Sequence, residues 1–407
     1  MLARYPALGY PRYRRYWLAS LASVGATQLV TLGQGWLIFE LSGSALQLGY
    51  LGAAAALPNI MMILIGGVIA DRFDKRIILM WTSGIGCALL VVLAWLDLTE
   101  RVAVWHVLTV AALFSLTMGL DWPVRVSIFP QLIERSALMS AVALNSFVWQ
   151  VTRMAMPAAG GLIIATSDTW VIFVLGALGF AIMFAVISGI HVTVAEHSGH
   201  SALRQVRDGL QYIITTALFR WLLAMTFIGM FFSASYVQIL PVFADMLGAG
   251  ETGYGYLLSA GGVGSVVGTL AMGGAQNHRR LGQLLLGSAA LSGLALLLFA
   301  VASNAGIYAG ALLMAFASAA FASVFLVGSM TAMQLTVPDE LRGRVMGFHT
   351  IGFSLTPLGG LLLGGLTEWV GAPSAVVIGN GIYLVFVIWL AVTVPMLRRL
   401  DGRALTA

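Results

Sequence analysis

Twelve long apolar segments, separated by short stretches that hold nearly all the charge, dominate this sequence. They lie near residues 17–40, 46–70, 77–96, 103–132, 137–165 and 169–190, and then near 220–243, 253–274, 282–302, 305–333, 345–367 and 373–397. Each is about as long as the roughly 20 residues an α-helix needs to cross the hydrocarbon of a bilayer. Backbone surrounded by lipid must satisfy its own hydrogen bonds, so each segment is expected to be helical. Only 9% of the 407 residues are charged and 59% are hydrophobic, against roughly 25% charged in soluble globular chains. That balance excludes a water-soluble enzyme. The longest hydrophilic run, about 191–216, is too short to fold as a further module. The expected fold class is therefore an all-α polytopic membrane protein with twelve transmembrane helices. Two six-helix bundles, residues 1–190 and 220–407, flank a cytoplasmic linker at 191–219.

Orientation follows from Lys and Arg, which are retained on the cytoplasmic side. Of the 21 basic residues, 18 fall in the termini and alternate loops that share a side with the N-terminus; Arg101 alone falls in the opposite loops, and Arg125 and Arg153 lie within spans. Both termini are thus expected in the cytoplasm. The apolar run Trp17–Phe39 is longer than the core of a signal peptide and should remain as the first span. The net charge of +5 is spent on these loops, which argues against nucleic acid as a partner. The single cysteine, Cys87, sits in an apolar run, so neither a disulfide framework nor a Cys-ligated metal is expected.

In the linker, Leu203, Val206, Leu210, Ile213, Ile214 and Ala217 share one helical face, opposite Arg204, Arg207, Asp208 and Gln211. An amphipathic helix lying along the inner membrane surface is expected, as a tether or as a regulatory latch. The halves also repeat weakly. Gly66-Gly67-Val68 before the basic loop after span two is echoed by Gly273-Gly274-Ala275 before Arg279-Arg280, and Pro157-Ala158-Ala159-Gly160-Gly161 by Pro357-Leu358-Gly359-Gly360. Repeats about 200 residues apart with the same sense across the membrane describe two parallel bundles, a transporter's architecture.

The loop after span two reads Gly67-Val68-Ile69-Ala70-Asp71-Arg72-Phe73-Asp74-Lys75-Arg76. With Gly67, Asp71, Arg72 and Arg76 in register it resembles the signature of the major facilitator superfamily; read only as charge, it is a topogenic cluster. The run Gln34 to Ser44, Leu57-Pro58, Pro123-Val124-Arg125, Ala143-Leu144-Asn145, Arg153 ahead of Pro157, and Val337-Pro338-Asp339-Glu340-Leu341-Arg342-Gly343-Arg344 resemble its enterobactin-exporter-like branch over nearly the whole chain. The resemblance implies proton-driven export of siderophores or drugs across a bacterial inner membrane, and a conformational latch at Gly67, Asp71, Arg72 and Arg76. His278 and Asn277 stand where the second half would repeat the Asp, so the latch should be asymmetric. Pro157, Gly160 and Gly161 resemble the antiporter signature of span five, with Met156 where the family has Gly; helix packing is the alternative use of these residues.

Charges inside spans are costly and mark functional candidates. Asp121 and Arg125 are four residues apart on one helical face. They read either as a self-neutralising structural pair or as a proton-coupling site with Asp121 as acceptor. Arg153, near mid-membrane, suits an anionic substrate or a structural partner. Asn145, Trp149 and Gln150, with Gln34 and Trp36 of span one facing them, are expected to line the substrate cavity. Gln238 and Asn380 are candidates from the second half, with interhelical hydrogen bonds as their competing role. His349 lies close to the inner end of span eleven as a weaker proton candidate. Eighteen Met and many aromatic residues favour an amphipathic organic substrate.

Gly262-Val263-Gly264-Ser265-Val266-Val267-Gly268 looks like a nucleotide loop but lies inside an apolar span, where helix packing is expected. No Walker-type loop, His-Glu-x-x-His or Gly-x-Ser-x-Gly occurs. No enzyme activity, cofactor or metal is expected. The expected partners are a small molecule, protons and the bilayer, with the chain acting as a monomer. Import or facilitated passage of a metabolite, and a non-transporting sensor on the same fold, are the alternatives.

Overall fold

The computed structural model describes residues 5–190, 202–273 and 279–403, with backbone alone for 63–72, 202–208 and 339. The described residues form helices and no strands. In chain order these are α1 (Pro11–Ser42), α2 (Ala45–Arg72), α3 (Lys75–Leu98), α4 (Val104–Ile128), α5 (Leu138–Thr166), α6 (Thr169–Ser188), α7 (Ala202–Thr215) and α8 (Ala217–Ile228). They continue as α9 (Leu240–Met246), α10 (Gly250–Met272), α11 (Leu281–Asn304), α12 (Tyr308–Thr336), α13 (Asp339–Phe353), α14 (Leu355–Val370) and α15 (Ala372–Thr393). Ten helical stretches among the described residues are long and apolar enough to cross a membrane, α8 to α9 counting as one and α13–α14 as another. The remaining two spans, α1 and α5, are 32 and 29 residues long and fall outside that group because each carries polar residues along one face.

The chain separates into two compact units. The first holds Met1–Gly43 and Ala54–Gly199; the second holds His200–Ala407 together with Ser44–Ala53, the leading third of α2. Tyr13, Tyr16, Leu79, Val124, Ile128, Leu144 and Met183 form the core at one end of the first unit. Phe219, Leu222, Leu285, Phe325, Met333, Val345 and Leu390 form that of the second.

Local chemistry sets the helix ends. Gly43, with φ of 60°, ends α1 and returns its N–H to the Phe39 carbonyl at 2.7 Å, the left-handed stop that glycine adopts without strain. Asp74 caps α3 by accepting from Arg76 N at 2.8 Å. Arg76 donates through Nε to the Ile187 carbonyl at 3.1 Å and through Nη2 to that of Ser188, so a cation sits on the exposed carbonyls at the end of α6. At the other end of this helix pair, Thr169 Oγ1 donates to Asp97. Span seven is not one regular helix: a π turn at Gly229–Ser233 and a 3-10 stretch at Ala234–Ile239 separate α8 from α9. Pro241 has no N–H to give Val237, and the Leu240 N–H takes that carbonyl instead, tightening the turn.

The linker helix is α7. Gly209 approaches Arg344 Cβ of α13 to 3.1 Å, measured from where a Cβ would stand, and Ile213 is buried. Leu210 and Ile214 of the apolar face stay exposed. The expected face residues Leu203 and Val206, and the opposing Arg204, Arg207 and Asp208, lie outside the described side chains, as do Gly67, Asp71 and Arg72; Gly274, Ala275, Asn277 and His278 lie outside the described residues.

Candidate functional site

The buried charge of the first unit is built from three helices. On α4, Arg125 Nε donates to Asp121 Oδ2 and Nη2 to Oδ1 at 3.3 Å. Arg125 Nη1 donates to Ser23 Oγ of α1 at 2.9 Å, and Thr82 Oγ1 of α3 donates to Asp121 Oδ1 at 3.1 Å. Tyr16 OH donates to the Arg125 carbonyl at 3.4 Å. Asp121 is 5% and Arg125 6% exposed. Each charge therefore meets the opposite charge and at least one hydroxyl inside packed helices. Such a cluster joins α1, α3 and α4 mechanically.

Ser23 belongs to a stripe that the sequence contains but single residues do not announce. Tyr16, Ser20, Ser23, Thr27, Thr31 and Gln34 follow one another at three- and four-residue steps and so share one face of α1. Thr27 Oγ1 donates to the Ser23 carbonyl at 3.0 Å and Thr31 Oγ1 to that of Thr27 at 2.9 Å, which meets hydroxyl demand without a partner helix. Gln34, 6% exposed, has no hydrogen-bond partner for its Nε2. Gly25, Leu29, Leu32 and Trp36 form a different row, of which Gly25, Leu29 and Leu32 meet α5. The structure therefore separates Gln34 from Trp36, placing the first on the α1 face that carries Ser23, about three turns further along, and the second on the α5-facing row.

On α5, Asn145, Trp149, Gln150 and Arg153 span an arc of about 140° at 3.6 residues per turn. Arg153 is exposed, and Asn145, Trp149 and Gln150 are half-buried. Trp149 meets Trp122 of α4 edge to face, with centroids 5.0 Å apart. A guanidinium, two amides and an indole on α5, with the Trp122 indole of α4 beside them, can bind an anionic aromatic group by charge, hydrogen bond and stacking. Further along α5, Pro157, Gly160 and Gly161 are buried. A Cβ on Gly160 would come within 3.0 Å of Leu29. Met156, the departure from the family pattern, is accommodated by Gly25, where a Cβ would stand 3.5 Å from its sulfur.

In the second unit Asn380 is 1% exposed. Its Oδ1 accepts from Ser233 Oγ in the π turn at 3.0 Å and its Nδ2 donates to the Gly293 carbonyl of α11 at 2.6 Å. The amide is thus committed at both ends to helix packing. Asn380→Leu should cost about 1–2 kcal/mol of stability at membrane hydrogen-bond values, read as a lowered thermal midpoint, while substrate preference in a flux assay stays as in the parent. Gln238 is half-buried between Gly360 of α14 and Gly52 of α2. His349 is buried, its Nε2 without a partner, edge-on to Phe353 at 5.9 Å. Among the described residues no three His, Cys, Asp or Glu are grouped to hold a metal ion.

Residues 4–406 match the family described as transmembrane secretion effector. The chain belongs to that family, within the major facilitator superfamily. Its fold is the facilitator fold that the family resemblance implied, with the twelve helices expected from the apolar segments. Among its relatives, the enterobactin exporter EntS of Shigella boydii is 26% identical over 399 residues, covering 96% of this chain and 93% of that protein. The staphyloferrin A transporter of Staphylococcus aureus is 24% identical, covering 82% and 83%. The crystal structure of the nucleoside transporter NupG superposes with a TM-score of 0.74 at 13% identity, covering 93% of this chain and 98% of that one, a likeness of fold. Family membership makes the chain an integral membrane transporter of a small molecule.

Proposed function

We propose that this facilitator exports a small, amphipathic, anionic organic molecule, of which siderophores are the first class to test and drug-like compounds the second. Export runs by alternating access and in exchange for protons across a bacterial inner membrane, with both termini in the cytoplasm. The observation that carries this reading is the exposed Arg153 on the turn after Trp149, itself packed on Trp122, in a chain similar over most of its length to an enterobactin exporter. Arg153 supplies the charge, Gln150 and Asn145 the hydrogen bonds, and the indoles the stacking surface. Pro157, Gly160 and Gly161 support exchange through the family signature. In the same reading Gly67, Asp71, Arg72 and Arg76 form the inner latch, and the hold of Arg76 on the last carbonyls of α6 keeps that loop in place.

The test is uptake of catecholate and carboxylate siderophores and of neutral amphiphiles into inside-out vesicles, with and without an acid-inside gradient. Gradient-dependent uptake that an uncoupler abolishes is expected. An ionic hydrogen bond contributes about 1.5–3 kcal/mol, so Arg153→Gln should lower uptake of the anionic substrate roughly 10- to 100-fold at limiting concentration and leave the melting temperature in place. Parental uptake by Arg153→Gln would remove the α5 face from substrate binding.

A further inference from the structure

Two arginines of the second unit are seated at helix ends beside exposed aromatic and aliphatic side chains. The last carbonyls of a helix have no partner within it, and a cation is favoured there. Arg220 of α8 donates through Nη1 to the Ile214 carbonyl, in the last turn of α7, at 3.3 Å. Beyond α15, Arg398 donates through Nη2 to the Val392 carbonyl, in the last turn of that helix, at 3.5 Å. An aromatic row leads from one place to the other. The guanidinium carbon of Arg220 stands 5.1 Å from the centre of the Trp221 ring, Trp221 meets Trp389 of α15 with centroids 5.7 Å apart, and Phe386 stacks on Trp389 at 5.9 Å. Val392 follows Trp389 on the same helix, about 4.5 Å further along the axis.

Capping a carbonyl takes one N–H of each guanidinium and leaves the rest of the fork to other acceptors. Arg220 and Arg398 are exposed, as is Arg399, and none of the three forms an ion pair among the described residues. Asp401, the nearest acid to Arg398 along the chain, accepts from Arg403 N at 2.9 Å. Ile214, Trp389 and Val392 are exposed as well, at 54%, 46% and 66%. Hydrocarbon suits those three side chains and does not suit the guanidiniums; water does the reverse. A phospholipid meets both demands, with its phosphate on the arginine forks and its acyl chains along the indole and the aliphatic groups. Charge then selects the kind of lipid. A choline or ethanolamine head group adds an ammonium to a place that already holds three cations, whereas a glycerol head group leaves the phosphate charge to them, as basic pockets between membrane helices use it.

We infer that Arg220, Trp389 and Arg398 form a binding site for an anionic phospholipid, at the membrane boundary where spans seven and twelve meet. That boundary is the cytoplasmic leaflet in the orientation proposed above; binding needs no flux, so a failed lipid assay and a failed transport assay are separate results. The test is native mass spectrometry of the full-length protein in neutral detergent, titrated with phosphatidylglycerol, with phosphatidylcholine of the same acyl chains, or with water-soluble glycerophosphoglycerol. The parent should retain phosphatidylglycerol in preference to phosphatidylcholine and should not retain glycerophosphoglycerol. At the usual contribution of a basic residue to binding at a lipid surface, Arg220→Gln with Arg398→Gln should weaken phosphatidylglycerol roughly 10- to 30-fold. Arg398→Gln alone, which leaves the junction of α7 and α8 untouched, should account for about 5-fold of that. Trp389→Ala should weaken both lipids and keep the preference between them. Arg14→Gln with Arg15→Gln, the same charge change on exposed residues at the start of α1, should bind as the parent does. The arginine variants should melt with the parent in lipid-free detergent, since the altered side chains are exposed. Equal retention of the two lipids overturns the inference, as does an equal loss in the α1 variant, because the arginines would then act only as general surface charge. Retention of glycerophosphoglycerol as tight as that of the lipid would reduce the place to a phosphate contact and overturn the lipid assignment.

Discussion

Arg125→Ala should lose about 3–5 kcal/mol of stability, the usual cost of leaving one member of a buried ion pair behind. The Asp121 carboxylate, 5% exposed, would keep one hydroxyl donor, Thr82, and no counter-ion from its own helix. Asp121→Asn should be costly for the mirror reason: the amide can still accept from Thr82, but the guanidinium of Arg125 would lose its counter-ion and keep only neutral partners such as Ser23. Replacing both residues by apolar ones of similar volume, Asp121→Leu with Arg125→Met, should recover most of the loss, since a desolvated pair is often close to neutral against good apolar packing. Thermal unfolding of purified protein measures all four forms. The same set separates the two roles open to Asp121. A stable double variant that keeps pH-dependent flux makes the pair a structural joint of α1, α3 and α4. A stable double variant whose flux no longer responds to pH assigns Asp121 to coupling.

The legible part of this protein was what depends on length and period. The apolar segments mark the spans, and the i,i+4 spacing of Asp121 and Arg125 announces their contact. Helix ends were less visible, because apolarity and helicity stop at different residues. Span eleven becomes apolar near residue 345, yet α13 begins at Asp339, where Pro338 sets the entry and Glu340 suits the positive end of a helix. The irregular turn of span seven has its signal in Pro241. The partners of a buried group are harder: nothing local to Ser23 or Thr82 marks them as ligands of an ion pair on another helix. Their hydroxyls become informative only as part of a stripe, and the α1 stripe is readable at three- and four-residue steps. Least legible is the affiliation of Ser44–Ala53 with the second unit, which depends on glycines meeting the backbone of a helix distant in sequence.

Gly268→Val should be as damaging as the loss of a buried charge, for a purely steric reason. A Cβ at Gly268 would overlap the Ala320 carbonyl oxygen of α12 and stand 3.0 Å from Ser323 Cβ; one at Gly264 would overlap the Phe316 carbonyl oxygen. Side chains can rotate away from an intruding methyl, but a helical carbonyl cannot without breaking its own hydrogen bond. The two helices must then separate along their length. Lipid offers no hydrophobic force to press them together again, since association in a bilayer rests on close packing of such small residues. Overpacking a well-filled site costs about 1–3 kcal/mol and occasionally more, and here the upper end or beyond is expected because the obstacle is backbone. Gly287→Ala and Gly381→Ala are the controls. Both lie in helices with nothing within 4 Å of the added Cβ, so each should gain up to about 1 kcal/mol from helix propensity. Melting of Gly268→Val at the parental temperature would mean that α10 and α12 are not in backbone contact, and the glycine run at 262–268 would then need a use other than packing.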